Sequence, residues 1–217
     1  MGDAAQTLFA RCPTVEPVLV QLEEDMVNSV TRNNSVGDGA GEQGARAKER
    51  LNDGTKVLIR RIHARDVEIE RRFIEALSPT SRRFRFLDTM RSPSEALLKQ
   101  MTSINAATDA AYVAVIDVDG QEREIGVARF SALPDLHDCE FAVAVSDEWQ
   151  KKGLATLLMR HLIETARSRG IGKMHSSDAA DNTAMREFAE HLHFKHERDP
   201  DDATHVLYSV DLTTAIA

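Results

Sequence analysis

One stretch limits this chain's possible folds more than any other: Val143-Ala144-Val145-Ser146-Asp147-Glu148-Trp149-Gln150-Lys151-Lys152-Gly153-Leu154-Ala155. It reads as a buried strand, a short loop and a helix that opens with Gln-x-x-Gly-x-Ala. Beyond it, Leu154, Leu157, Leu158, Leu162 and Ala166 recur at helical spacing and carry the helix to about Arg169. A strand that hands over to a helix in this way aims several backbone N–H groups at one point. The first N–H groups of a helix have no internal partner, and the helix dipole adds positive potential there. Such a corner is a seat for a phosphate. Gly153 lets a ligand come close to the backbone, and Ala155 is the next smallest choice. Neither a Gly-x-x-x-x-Gly-Lys-Ser/Thr run nor a Gly-x-Gly-x-x-Gly fingerprint occurs, so P-loop and dinucleotide-binding units are not indicated. On spacing alone, the competing reading is a plain strand-to-helix turn with one glycine.

The rest of the sequence from Lys56 keeps an alternating α/β order. Val57 to Ile62 reads as a strand. Asp66 to Leu77 reads as a helix with Asp66 as N-cap and Ser78-Pro79 as a stop, and Pro93 to Met101 as a second helix capped by Ser92. Tyr112 to Val118 and Glu124 to Phe130 read as strands joined at Asp119-Gly120, a hairpin signal. Glu140 to Val145 precedes the phosphate corner, and Gly170 and Gly172 bracket the end of the long helix. Lys173 to Ser177 reads as a strand, Asp181 or Asn182 caps a helix to about Leu192, and Phe194 to Glu197 and Val206 to Asp211 are the last strands. Residues 1 to 54 differ. They carry five basic against nine acidic residues. A short helix over Val15 to Val30 is followed by a Gly-rich linker over Asn33 to Gly44. We read 1–54 as a flexible extension and 55–213 as the folded domain.

Charge and cysteine usage narrow the function. With 42% hydrophobic residues the chain can bury a substantial core, and a net charge of −8 argues against nucleic acid or an anionic membrane as main partner. Cys12 and Cys139 are the only cysteines, which implies no disulfide framework and fits the cytoplasm. No apolar run reaches the length of a membrane span, and Met1 to Ala10 lack the pattern of a signal peptide.

The block from Glu140 to Ala155 resembles the acetyl-CoA-binding segment of the GNAT superfamily of N-acetyltransferases, whose pattern is Gln/Arg-x-x-Gly-x-Gly/Ala after a strand. The resemblance runs from about Lys56 to Leu212. Within the superfamily, Leu77-Ser78-Pro79-Thr80-Ser81-Arg82-Arg83-Phe84-Arg85-Phe86 and Cys139-Glu140-Phe141-Ala142-Val143 are similar to the acetyltransferase domain of bacterial protein-lysine acetyltransferases. It implies an α/β fold with a mixed, mostly antiparallel central sheet flanked by helices. The implied reaction moves acetyl from acetyl-CoA to a primary amine, with a protein lysine as leading acceptor. A small-molecule amine is the first alternative. A catalytically weak acyl-CoA-binding module that regulates a partner is the second.

Acetyl transfer to a lysine needs a base, because an amine of pKa about 10.4 is almost fully protonated at neutral pH. Glu140 is the candidate: a carboxylate at the head of the apolar run 141–145 is desolvated, which raises its pKa. It also matches the glutamate assigned as base in the enzymes it resembles. The competing reading is a strand-end glutamate paired with an arginine. The resemblance puts the pantetheine arm on the backbone of Val143, Ala144 and Val145, with the Val145 N–H polarising the thioester carbonyl. It puts the pyrophosphate on Lys151, Lys152, Gly153, Leu154, Ala155 and Thr156. It places Asn182 on the cofactor arm, a role compatible with an N-cap. Many members carry a tyrosine seven positions after that asparagine and an acid six before it; here those are Ala189 and Ser176. Both departures point back to Glu140. Arg60 to Arg91 holds nine arginines against five acidic residues, which reads as a solvated face or an acceptor-facing groove. His191, His193 and His196 straddle a helix end with no cysteine nearby, and no metal site is expected.

Overall fold

The computed structural model describes residues 46–86, 92–133 and 136–213. The expected helix over Val15 to Val30 and the linker over Asn33 to Gly44 lie outside the described residues. Strands β1 (Arg46–Arg50) and β2 (Lys56–Arg61) come first, followed by a 3-10 turn over Ala64–Asp66. Three helices come next: α1 (Val67–Ala76), α2 (Pro79–Phe86) and α3 (Glu95–Thr102). Strands β3 (Asp109–Val118), β4 (Gln121–Ala132) and β5 (Asp138–Val145) lead through a turn to the long helix α4 (Leu154–Ser168). Strand β6 (Lys173–Ala179), helix α5 (Thr183–His191) and strands β7 (Lys195–Arg198) and β8 (His205–Asp211) complete the chain.

The strands form one eight-stranded sheet in the order β1-β2-β3-β4-β5-β6-β8-β7. Every neighbouring pair is antiparallel except β5 with β6, which is parallel. Strand alternation explains the two cores. Ala110, Tyr112 and Ala114 of β3 face α4, where Leu158, Leu162 and Ala166 meet them. Ala111, Val113 and Val115 face the opposite way, against Phe73 and Ile74 of α1 and Leu98 and Met101 of α3. A strand buried on both faces reads as an unbroken apolar run, as 110–116 does. At Asp119-Gly120 both residues take positive φ, 54° and 79°, the geometry of a type I′ hairpin turn.

Four expectations need correction. The folded unit starts before residue 55: β1 pairs with β2 along its whole length, and Leu51 is buried in the core. Asp66 does not cap α1 with its side chain. Its carboxylate instead accepts from Arg60 at 2.7 and 3.0 Å and from the His63 amide at 2.8 Å. The cap of α3 is Ser94, whose Oγ accepts from the Leu97 amide at 3.2 Å, and not Ser92. Ser78-Pro79 stops α1 but also opens α2, with Pro79 at the first helical position, where its missing N–H does no harm.

Candidate active site

Strands β5 and β6 pair at only three positions, Asp138↔Lys173, Cys139↔Met174 and Glu140↔His175. Beyond Glu140, β5 keeps its register with β4 while β6 keeps its register with β8. The two parallel strands therefore part, and a cleft of about 640 Å³ lies at their open end. Its walls come from Val143, Ala144 and Val145 of β5, the loop into α4, the start of α5, and α2.

The backbone of β5 is free on the cleft side at alternate residues. The Ser146 amide donates to the Ile125 carbonyl of β4 at 3.0 Å, so the groups of Val143 and Val145 point away from β4. The Gln150 carboxamide donates to the Val145 carbonyl at 3.1 Å and ties the loop to the strand end. Lys151 and Gly153 both take left-handed conformations, φ 59° and 84°, which turns the loop sharply into α4. Gly153 is the N-cap residue and has no side chain to fold back on the helix. The first backbone bond into the helix is donated by Leu157 to the Gly153 carbonyl at 3.1 Å. The amides of Leu154, Ala155 and Thr156 thus precede it at the positive end of the dipole.

The cleft brings together nearly all of the expected cofactor residues: Val143, Ala144, Val145, Lys151, Gly153, Leu154, Ala155, Thr156 and Asn182 line it. Lys152 does not. Its ammonium pairs with Asp53 at 3.2 Å and sits over the Trp149 ring at 4.7 Å. Asn182 caps α5, its Oδ1 accepting from the Met185 amide at 3.1 Å, while its Nδ2 donates to Asp178 at 3.0 Å. Glu140 stands at the closed end of the split, exposed, on the α1–α3 face of the sheet beside Ala142 and Ala144. Partial burial pushes its carboxyl above the ordinary range, and the Arg85 guanidinium draws it back in part. Ala189 is fully buried, so the position where many relatives carry a tyrosine is a core position here.

Of two further parts of the site, one falls within the arginine-rich stretch read as a solvated face or an acceptor-facing groove, and the other had not been expected. Helix α2 closes one side of the cleft with Ser81, Phe84 and Arg85, and Ser78 just before it lines the same side. It is fastened at both ends: Asp147 accepts from the Ser78 amide at 3.0 Å and from the Ser78 and Ser81 hydroxyls at 2.8 Å, and Arg83 pairs with Asp181 at 2.7 Å. Those three Asp147 bonds also hold its pKa below the ordinary carboxylate value, against a desolvation that opposes them. The second part is the β1–β2 turn. The Asn52 amide donates to the Lys152 carbonyl at 3.1 Å, and its side chain lies against Gly153 and lines the cleft. The Asp53-Gly54 pair is a hairpin signal that could have located this turn. Among the described residues, no group of His, Cys, Asp and Glu is placed to hold a metal ion, and no helix is long and apolar enough to cross a membrane.

Comparison with known proteins places this architecture. The model of the Acetyltransferase (GNAT) family matches residues 74–194. The chain belongs to the GNAT acetyltransferase family. It is 44% identical over 164 residues to a Pseudomonas aeruginosa protein named acetyltransferase PA5475, covering 76% of this chain and 88% of that one. Among solved structures it is similar to the GNAT domain of S. lividans PAT, with a TM-score of 0.70 at 23% identity, covering 76% of this chain and 96% of the other. It is also similar in fold to a ribosomal L7/L12 alpha-N-protein acetyltransferase in complex with coenzyme A, with a TM-score of 0.58 at 15% identity and 75% and 98% coverage. The expected α/β GNAT fold with its mixed, mostly antiparallel sheet is thus the observed one. Family and homologue together make the chain an acetyl-CoA-dependent N-acetyltransferase acting on an amine.

Proposed function

We propose that this GNAT enzyme acetylates the ε-amine of protein lysines, with Glu140 as general base. The observation that carries the reading is the position of Glu140. It is exposed at the closed end of the strand split, at the surface of the sheet, and its carboxyl is held above the ordinary range by desolvation. A lysine presented on another protein reaches such a group from outside, and a base with a raised pKa accepts its proton closer to the operating pH.

The remaining roles follow from placement. The Val143 and Val145 backbone groups that face away from β4 hold the pantetheine arm, as an added strand would be held. The Val145 N–H polarises the thioester carbonyl. The amides of Gly153 to Thr156 hold the pyrophosphate, with Lys151 beside them. Asn182, already fixed by its cap bond, frames the cofactor arm from α5. Asn52 buttresses the pyrophosphate loop from the β1–β2 turn. A thiol of pKa near 8.5 leaves as thiolate without the tyrosine that Ala189 replaces.

The test is thiol release from acetyl-CoA measured against a panel of folded proteins and small amines, with acetyl-lysine read by mass spectrometry. Acetylation of protein lysines that disappears with Glu140→Gln supports the reading. Turnover of a small amine with no protein acetylated in a lysate moves the chain to a small-molecule acceptor.

A further inference from the structure

Among the described residues, the cleft is lined by two fixed cations, Lys151 and Arg85. Lys151 stands beside Gly153, at the corner that opens α4. Arg85, near the end of α2, stands at the other end. Its charge acts on Glu140 of β5, and it feels Asp178 of β6, so it lies over the parting of those two strands. An arm laid along β5 from the Gly153 corner towards Glu140 brings its sulfur to this end of the cleft.

The neighbouring arginines are engaged. Arg82 donates to the Leu77 carbonyl at 2.9 Å, Arg83 pairs with Asp181 at 2.7 Å, and Arg129 donates to Glu70 and to the Met101 carbonyl, each at 3.1 Å. Arg85 differs from them. It is half-buried, and among the described residues its guanidinium makes neither an ion pair nor a hydrogen bond; it lies 5.1 Å from the centroid of the Phe86 ring. Burial and the like charge of Arg129 push its pKa down to about 10, against the pull of Glu70, Asp178 and Glu124, so it stays charged at neutral pH. A desolvated cation without a counter-ion costs free energy. It is also a pre-organised partner for an anion that forms only during a reaction, because no counter-ion has to be displaced first.

Acetyl transfer makes such an anion. As the amine nitrogen bonds to the acetyl carbon, the carbon–sulfur bond breaks and its electron pair leaves on sulfur. Glu140 takes the proton of the amine, and the sulfur departs without one. The position where many relatives carry a tyrosine is the buried Ala189, which has no proton to give. We propose that Arg85 is a further catalytic residue, pairing with the coenzyme A thiolate as it leaves. The thiolate stays in an ion pair with the guanidinium and takes its proton from solvent on release. This role rests on the reading that acetyl-CoA lies along β5 in the cleft; it needs neither a protein acceptor nor Glu140.

The test is a pH titration of coenzyme A bound to the full chain, followed by the ultraviolet absorbance of the thiolate, with binding itself read by calorimetry. A free thiol titrates near about 8.5. Bound to the wild type, the coenzyme A thiol should titrate at least about one unit lower, a tenfold shift of its equilibrium towards thiolate. Arg85→Met keeps the apolar stem and drops the charge. It should return the thiol to the free value or above, because Glu140 and Asp178 then act on it unopposed. Arg85→Lys should keep part of the shift, and Glu140→Gln all of it. An unshifted thiol in the wild type, or a shift that survives Arg85→Met, overturns the proposal and leaves the base and the acceptor untouched. A wild-type chain that does not bind coenzyme A overturns it too, and removes the assignment of the cleft with it. Should Arg85→Met lose coenzyme A binding, Arg85→Gln decides by the same two outcomes.

Discussion

Replacing Gly153 by alanine puts a methyl group on a left-handed backbone and into tight contact with its neighbour. The residue sits at φ 84°, and an added Cβ would lie 3.0 Å from Asn52 Oδ1, 3.1 Å from Nδ2 and 3.2 Å from Cγ. The left-handed conformation alone costs about 1–2 kcal/mol for a residue with a Cβ. The Asn52 carboxamide must also give by a few tenths of an ångström, while its backbone stays tied to the Lys152 carbonyl. A loss near 2 kcal/mol lowers the melting temperature of a domain of this size by about 4–8 °C. The loop can escape the strain only by leaving the left-handed well, and the amides of Leu154 to Thr156 then no longer converge. Acetyl-CoA affinity should fall at least about tenfold, about 1.4 kcal/mol. Scanning calorimetry and titration with acetyl-CoA read the two effects separately. Adding Asn52→Gly removes the contact but leaves the φ penalty, so the double variant should recover part of the stability and not all of it. A folded Gly153→Ala protein with wild-type acetyl-CoA affinity would refute the assignment of this loop to the phosphates.

Glu140→Gln should lower kcat by about 10²–10⁴ with acetyl-CoA affinity nearly constant. In the wild type kcat should fall as pH drops through the Glu140 pKa, which burial has moved above the usual carboxylate value; a flat pH–rate profile sinks the role. Asp66→Asn strips Arg60, 2% exposed, of its bidentate partner while Glu122 remains at 2.6 Å. Denaturant unfolding should report a loss of about 3 kcal/mol, and a loss below 1 kcal/mol would show that Glu122 suffices. A chain beginning at Asn52 loses β1, the burial of Leu51, and the contacts of Glu49 with Arg160 and His161. The buried leucine alone accounts for about 1.5–3 kcal/mol, so melting should drop by well over a few degrees. Equal melting temperatures would return this segment to the extension.

The strand-to-helix corner at Gly153 was legible because its geometry is local: a glycine in a left-handed bend, a strand before it and an amphipathic helix after it are all written within thirty residues. β1 was not, because Arg-Ala-Lys-Glu-Arg has no apolar alternation. A strand at the sheet edge, exposed on alternate residues, needs none. α2 was hidden by Pro79, which ends one helix and starts another. The burial of Glu124 has no local sign at all. Gln-Glu-Arg-Glu reads as a polar strand end, and only the packing of α1 across the sheet takes the fourth residue out of water. Nor could spacing separate Lys151 from Lys152, since the Lys152 ammonium is drawn off by Asp53 and Trp149, the first of them far away in sequence.

The two outermost strands have a bearing on how copies of this protein meet. Among the described residues, β1 and β7 end the sheet with unpaired backbone groups, the usual template for edge-to-edge joining. Their side chains work against it. An antiparallel match of β1 with a second β1 centred on Lys48 sets that lysine against its own copy and Arg46 against Arg50, and like charges directly opposite are destabilising. At the other end Lys195, His196, Glu197 and Arg198 are all exposed, so a β1-to-β7 junction also brings basic rows together. Lengthening the sheet across molecules through β1 is therefore disfavoured.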